Sequence, residues 1–238
     1  MKSSKITIIL IMTTIIAVTA SCYGGKTSTE KQPSNITKAD VDSVSYMMGY
    51  SFGMQIKESS FGALEYSKIL EGMKDASKGV DIDYQEFQRV VKGFLNKRHT
   101  AIAEEMTVRS KKYLDDKRME KGIDSTKTGL LYKIEQAGNN LHATPLDTVE
   151  VNYEGKNLDG EIFDSTYKKG IPARFPLGAV IPGWSEGMQL VGEGGVIYLY
   201  IPANLAYGER GGGSKIRPNE ALTFKVELLK VITYQPKK

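Results

Sequence analysis

Gly178-Ala179-Val180-Ile181-Pro182-Gly183-Trp184-Ser185-Glu186-Gly187-Met188 carries the only tryptophan of a 238-residue chain. An apolar pair and a Pro-Gly turn lead into Trp184. Beyond it, Trp184, Met188 and Val191 fall at steps of four and three, the spacing of one helical face. Pro182 suits the first turn of that helix, where a missing N–H costs nothing. The stretch therefore predicts a loop delivering Val180 and Ile181 to the mouth of a cavity, with Trp184 on the first helical turn as its floor. On its own, a lone tryptophan at such a junction reads as core.

The flanks of this stretch have the period of strands. Residues 131–135 read as one. Thr148 to Leu158 alternates, with Val149, Val151 and Tyr153 on one face and Glu150, Asn152 and Glu154 on the other. Asp159-Gly160 predicts a tight hairpin into Glu161-Ile162-Phe163-Asp164. Residues 174–177 suggest another strand. Residues 195–201 are apolar on both faces, which predicts a central strand. From Leu222 to Val231, Leu222, Phe224, Val226 and Leu228 point inward and Thr223, Lys225 and Glu227 outward. Several antiparallel strands and one short helix make an α+β domain, a sheet wrapped over the helix. The glycine-rich loop from Gly208 to Lys215 reads G-x-x-x-x-G-S-K. A phosphate loop needs Lys before Ser and a helix after it, whereas Arg217-Pro218 and a strand follow here, so a nucleotide site is rejected.

Upstream the period becomes helical. Thr37 or Asp40 caps a helix running to about Lys57, with Val41, Val44, Met48 and Phe52 on one face. Gly49 and Gly53 offer close approach to another helix. A second helix spans residues 64–78 and buries Ile69, Leu70, Met73 and Ala76, with Gly79 ending it. From Asp83 the signal continues through Phe87, Val90, Val91, Phe94, Leu95, Ile102, Met106, Tyr113 and Leu114 to Gly122. At 1.5 Å per residue that is a rod on the order of 55 Å long. Its first half has a broad apolar stripe, and its second half is mostly charged with uneven apolar spacing. It reads as a stalk. Three such helices make a thin core, so self-association is expected. Plain core packing is the simpler reading of Met47, Met48, Met54 and Met73, with a Met-rich surface for apolar segments as the rival.

Lys2 and Lys5 precede a run from Ile6 to Val18, apolar apart from three threonines, and small residues lead on to Cys22. That is a signal-peptide layout, and the run is short for a membrane span. Val18-Thr19-Ala20-Ser21-Cys22 is similar to the lipobox of bacterial lipoproteins, with Thr19 departing from the usual aliphatic residue. Lipidation of Cys22 is expected because the only thiol stands at that spot; ordinary cleavage after Ala20 is the alternative. The expected organisation is a leader over 1–21, a tether over 22–36, a helical domain with its stalk over 37–122, a linker over 123–129 and the strand-rich domain over 130–238.

Composition is ordinary for a globular chain, 40% hydrophobic and 25% charged. Without Lys2 and Lys5 the 32 basic residues become 30 against 28 acidic ones, nearly neutral, so charge makes no case for nucleic acid. One cysteine and two histidines, His99 and His142, supply neither a zinc set nor an internal disulfide. No metal or cofactor is expected.

Val151-Asn152-Tyr153-Glu154-Gly155, Gly160-Glu161-Ile162-Phe163-Asp164-Ser165, Val180-Ile181-Pro182-Gly183-Trp184, Ala206-Tyr207-Gly208 and Leu222-Thr223-Phe224-Lys225-Val226-Glu227-Leu228 occur in order. Together they resemble the FKBP family of peptidyl-prolyl cis-trans isomerases. The leader, helical N-domain and long stalk are similar to the macrophage-infectivity-potentiator-like branch of exported bacterial FKBPs. The resemblance implies an apolar pocket floored by Trp184 and walled by Tyr153, Phe163, Val180, Ile181, Tyr207, Ile216 and Phe224. It implies that the Ile181 N–H and the Tyr207 hydroxyl bind ligand carbonyls, and that Asp164 is the conspicuous carboxylate. Asp164, Tyr207, Ile181, Trp184 and Phe224 are the implied catalytic set, with Tyr153, Phe163, Val180 and Ile216 binding substrate. Three departures bear on substrate preference and pocket width: Ala173 near an aromatic wall position, Lys169 where arginine is common, and Arg217 where a proline often precedes Pro218.

The implied reaction needs no nucleophile. Rotation about a peptide bond faces a barrier of about 18–20 kcal/mol because planarity carries resonance. Twisting the X-Pro bond removes that resonance and makes the amide less polar, so a dry aromatic pocket favours the twisted form. The expected activity is prolyl isomerisation assisting proline-containing unfolded proteins in the periplasm or at the outer membrane. A homodimer through the N-terminal helices, chaperone action, macrolide binding in the pocket and membrane contact through a lipid anchor alone accompany it. The alternative is a non-catalytic chaperone or binding module.

Overall fold

A computed structural model describes residues 33–59 and 61–236. The leader, Cys22 and most of the tether lie outside the described residues. The chain forms two compact units, Met1–Gln88 and Arg89–Lys238.

The first unit is helical. Helix α1 (Lys38–Glu58) starts at a capping box: Asp40 N–H donates to Thr37 Oγ1 at 3.2 Å, and the Thr37 N–H donates back to Asp40 Oδ2 at 2.8 Å. Both expected caps thus act together. Helix α2 (Tyr66–Ser77) follows and Gly79, at φ 78°, turns the chain out of it. Ile56 is the one buried residue of α1, and α2 has none. Core packing of the methionines is therefore not met among the described residues: Met47 and Met48 are each 63% exposed, and Met54 and Met73 are exposed as well. Among the described residues a Cβ on Gly49 or Gly53 would meet nothing within 4 Å, so no described helix makes the close approach expected there.

Helix α3 (Tyr84–Arg118) begins in the first unit, and its length from Arg89 onward belongs to the second. The division between compact units falls inside this helix, well before the expected linker. That linker is itself folded. Strand β1 (Asp124–Ser125) pairs with β2 (Leu131–Gln136), and Thr126 N–H donates to the Leu130 carbonyl at 2.9 Å. Two residues of strand between turn-forming neighbours leave no periodicity to read.

The remaining strands are β3 (Thr148–Lys156), β4 (Ile162–Ser165), β5 (Ala173–Pro176), β6 (Val196–Ile201) and β7 (Leu222–Ile232). All pairings are antiparallel, in the order β1-β2-β6-β7-β3-β4, and β5 also pairs with β3. The central place expected for β6 holds. Alternation puts Val149, Val151 and Tyr153 of β3 and Leu222, Phe224, Val226 and Leu228 of β7 on the inner face. That face packs on helix α4 (Pro182–Gly187).

Two glycines set how close α4 lies to the sheet. A Cβ on Gly183 would sit 2.4 Å from Ile201 Cγ2, and one on Gly187 would sit 2.5 Å from Leu199 Cδ2. Four residues apart, they share one face of the helix. That bare face meets β6, and Trp184 between them supplies the bulk.

Candidate functional site

Trp184 is 4% exposed, and three rings stand edge-on around its indole. Tyr153 of β3 lies 4.9 Å away between centroids, Phe224 of β7 5.2 Å and Phe175 of β5 5.8 Å, all at interplanar angles above 80°. Phe163 of β4 stands on Phe224 in the same manner, at 5.5 Å. Edge-to-face contacts satisfy the ring quadrupoles and leave a hollow above the indole. The hollow is a cavity of about 360 Å³ lined by Tyr153, Phe163, Asp164, Phe175, Ala179, Val180, Ile181, Trp184, Tyr207 and Phe224.

Register explains why these side chains meet. Tyr153 pairs with Val226 and Gly155 with Phe224 across β3 and β7, while Gly155 also faces Asp164 across β3 and β4. Gly155 has no room for a side chain: a Cβ there would lie 2.6 Å from Phe224 Cε1 and 2.7 Å from Phe163 Cζ. The two rings therefore close over bare backbone.

The polar groups are few. Asp164 accepts the Ser165 N–H at 2.9 Å on one oxygen and the Tyr153 hydroxyl on the other, with Lys169 Nζ 3.5 Å from the first. Burial, then the bond to Asp164, pushes the Tyr153 phenol well above its ordinary range. Burial and the nearby Asp164 charge raise Tyr207 too. Both phenols stay protonated through neutral pH and act as donors. The Ile181 carbonyl accepts the N–H groups of Trp184 at 2.9 Å and Ser185 at 3.1 Å. Among the described residues no acceptor pairs with the Ile181 N–H or the Tyr207 hydroxyl. The Trp184 indole N–H is buried without an acceptor, a floor that leaves one donor uncompensated.

Eight of the nine residues named from sequence line this cavity. Ile216 does not. It is 7% exposed, belongs to the core, and lies next to Tyr207 at Gly212: a Cβ on Gly212 would meet Ile216 Cδ1 at 3.2 Å and Tyr207 Cδ1 at 3.1 Å. Phe175 and Ala179 were missed. Phe175 enters through the register of β5 against Val149, which puts Ala173 and Phe175 on the inward side of that four-residue strand. Phe175 supplies an aromatic wall two residues after Ala173.

The chain can be set against known proteins on this geometry. Residues 139–229 match the family described as FKBP-type peptidyl-prolyl cis-trans isomerase, and residues 41–134 match the domain amino terminal to it. The chain is 37% identical over 199 residues to the probable FKBP-type peptidyl-prolyl cis-trans isomerase FkpA of Neisseria meningitidis, across 79% of this chain and 73% of that protein. It is 35% identical over 225 residues to the outer membrane protein MIP of Legionella longbeachae, across 90% of this chain and 96% of that protein. The crystal structure of FkpA from Escherichia coli matches with a TM-score of 0.65 at 33% identity, covering 83% of this chain and 99% of that one. With both halves matched and relatives aligned along most of their length, the chain belongs to the FKBP-type peptidyl-prolyl cis-trans isomerases, enzymes that rotate X-Pro peptide bonds.

Proposed function

We propose that the proline ring of an unfolded client enters the cavity and lies over Trp184. The Ile181 N–H and the Tyr207 hydroxyl each take a carbonyl of the flanking chain. Phe224, Phe163, Tyr153 and Val180 exclude water from the turning bond, and Asp164 fixes the Tyr153 ring through its hydroxyl. A twisted amide has lost its resonance and is less polar than a planar one, so the dry aromatic wall stabilises it selectively. The observation that carries this reading is the three-ring enclosure of Trp184 beside two donors without acceptors. A proline-peptide isomerisation assay on the full chain tests it. Tyr207→Phe is expected to lower kcat/KM by about three- to tenfold, the worth of one hydrogen bond. Unchanged turnover removes Tyr207 from the site. Macrolide inhibitors are expected to compete for the same cavity.

The finer setting is also a proposal: export to the periplasm and an outer-membrane anchor at a lipidated Cys22. Its support is the leader layout and the single thiol. A mature protein from membranes that begins at Ser21 without acyl mass excludes the anchor. Homodimerisation through the N-terminal helices is supported by Val44, Met47, Met48 and Tyr50, all more than half exposed on α1. So much apolar surface on one short helix calls for a cover. A monomer by light scattering at micromolar concentration rules against it. The same surface supports a chaperone contribution beside the catalytic one.

A further inference from the structure

Asn219 is the one non-glycine residue with a left-handed backbone among the described residues, at φ 58°. Asparagine visits this region more readily than other L residues, but it is held there by its surroundings. Its backbone N–H, its carbonyl and its carboxamide nitrogen are all engaged. Its N–H donates to the carbonyl of Gly208 at 2.9 Å, and Gly208 directly follows Tyr207. Its carboxamide nitrogen donates to Thr107 Oγ1 at 3.0 Å and to the Ala103 carbonyl at 3.4 Å, both on α3. Its carbonyl accepts the Ser110 hydroxyl at 2.8 Å, and Ser110 Oγ in turn accepts the Ala221 N–H at 2.8 Å. One residue thus joins α3 on one side to the loop bearing Tyr207 on the other.

Its neighbours repeat the connection. Glu220 is 2% exposed, and its carboxylate accepts the N–H groups of Leu158 at 3.0 Å and Arg217 at 2.7 Å as well as the Arg217 guanidinium. Arg217 also reaches Asp159 at 2.9 Å, and Asp159 accepts from Arg109 of α3 at 2.7 Å. Tyr113, one turn beyond Ser110, shares a hydrogen bond with Thr223 at 2.7 Å. Helix α3 is therefore fixed to the segment from Arg217 to Thr223 at several points.

Tyr207 has the opposite character. The residue is 41% exposed, its hydroxyl has no bond among the described residues, and the loop after it passes through Gly208, Gly211 and Gly213, all at positive φ. Such a backbone has little conformational preference of its own. The far end of the loop is closed by the pairing of Gly212 with Ile216, and next to Tyr207 the anchor is Gly208. The Gly208 carbonyl receives one strong bond, from Asn219; the other, from the Gly211 N–H, is long at 3.4 Å.

We propose that Asn219 is a positioning residue for the isomerase: it carries the fixed frame of α3 to Gly208 and so holds the Tyr207 hydroxyl where the substrate carbonyl arrives. This rests on the reading of Tyr207 as a substrate donor. The corresponding positioning group on α3 is Thr107, whose hydroxyl takes the Asn219 carboxamide.

The test is a double-mutant cycle on the full chain with a proline-peptide substrate. Asn219→Gly keeps the left-handed backbone and the N–H to Gly208 but removes the carboxamide. Thr107→Val removes only its partner hydroxyl, at an exposed position, and serves in the same cycle if the glycine variant does not fold. Folding of each is followed by Trp184 fluorescence and thermal unfolding. Asn219→Gly is expected to lower kcat/KM by about fivefold and Thr107→Val by about twofold, within the worth of a hydrogen bond. In a Tyr207→Phe background neither should lower it further, because the hydroxyl they place is gone. Losses that multiply fully with Tyr207→Phe overturn the proposal, since a purely structural role acts independently of that hydroxyl. Wild-type kcat/KM in folded Asn219→Gly also overturns it. Wild-type kcat/KM in Tyr207→Phe alone overturns instead the reading beneath it, and the coupling with it.

Discussion

Gly155→Ala probes how tightly the pocket is closed over β3. The added Cβ would stand 2.6 Å from Phe224 Cε1 and 2.7 Å from Phe163 Cζ, where ordinary contact begins at 3.4 Å. Both rings must therefore give way, Phe224 by about 0.8 Å and Phe163 by about 0.7 Å, the shortfalls between those distances. Phe224 is in the buried core between β6 and β3, whereas Phe163 is only half-buried on the short strand β4. Phe163 yields its share readily, whereas Phe224 can yield only by pressing into the core. Overpacking of this kind costs about 1–3 kcal/mol, and alanine recovers roughly 0.4–1 kcal/mol by restricting the unfolded chain. The net loss is about 1–2 kcal/mol, or a melting point lower by about 2–8 °C for a unit of this size. Activity should suffer more than stability, because a wall displaced by nearly an ångström no longer excludes water from the turning bond. We expect kcat/KM for a proline peptide to fall about 10- to 100-fold, in line with the effect of a 1 Å misplacement. Stopped-flow isomerisation and thermal unfolding on one preparation measure both. A folded variant with kcat/KM within twofold of wild type would show that the close seating of Phe163 and Phe224 over β3 is dispensable, and the enclosure argument would fail.

Asp164→Ala should lower kcat/KM about tenfold and stability by about 1 kcal/mol, because the Tyr153 hydroxyl loses its acceptor; Asp164→Asn, which keeps an oxygen there, should recover part of both. Because burial raises both Tyr153 and Tyr207, kcat/KM should be flat on its basic side to at least about pH 9, and a falling limb centred lower would contradict their role as donors. Asp147 accepts the N–H groups of Tyr234 and Thr144 and the Thr144 hydroxyl, which hold its carboxyl below the usual carboxylate range. Its stabilisation is complete above the unfolded value of about 3.9 and disappears as pH falls through the lower folded one. Asp147→Asn should thus cost about 1–2 kcal/mol at neutral pH and flatten the decline in stability below about pH 4, as acid titration of the unfolding midpoint would measure.

The sheet and the pocket floor were legible because their signals are local. Alternation in β3 and β7 places Tyr153 and Phe224 on the inner face without any knowledge of the partners, and Pro182 with Trp184 marks the start of α4. Phe175 was not legible as a wall, since β5 is four residues long and its inward side is defined only by pairing with β3. The second half of α3 looked charged and uneven for a related reason. Met106, Ser110, Tyr113 and Lys117 do fall at steps of four, three and four, but the seam they form is largely polar: Ser110 and Tyr113 are held by hydrogen bonds, and Lys117 lies over the Tyr200 ring at 5.1 Å. A stripe of hydrogen-bonding residues on a helix cannot be told from a solvated face until its partners are in view. The methionines of α1 failed in the opposite sense. Their apolar period is real, but nothing among the described residues covers it.

Trp184 with glycines on either side leaves the enzyme unevenly free to change. Tyr153, Trp184 and Phe224 serve at once as pocket surface and as hydrophobic core, so altering any of them alters the fold in the same stroke. Phe163, Phe175, Val180 and Ile181 are only partly buried, and Tyr207 rides on a loop. Adaptation to new clients is therefore confined to this outer ring of the cavity. Such a pocket can change which chain enters and how it is gripped, while the surface on which the proline turns stays the same.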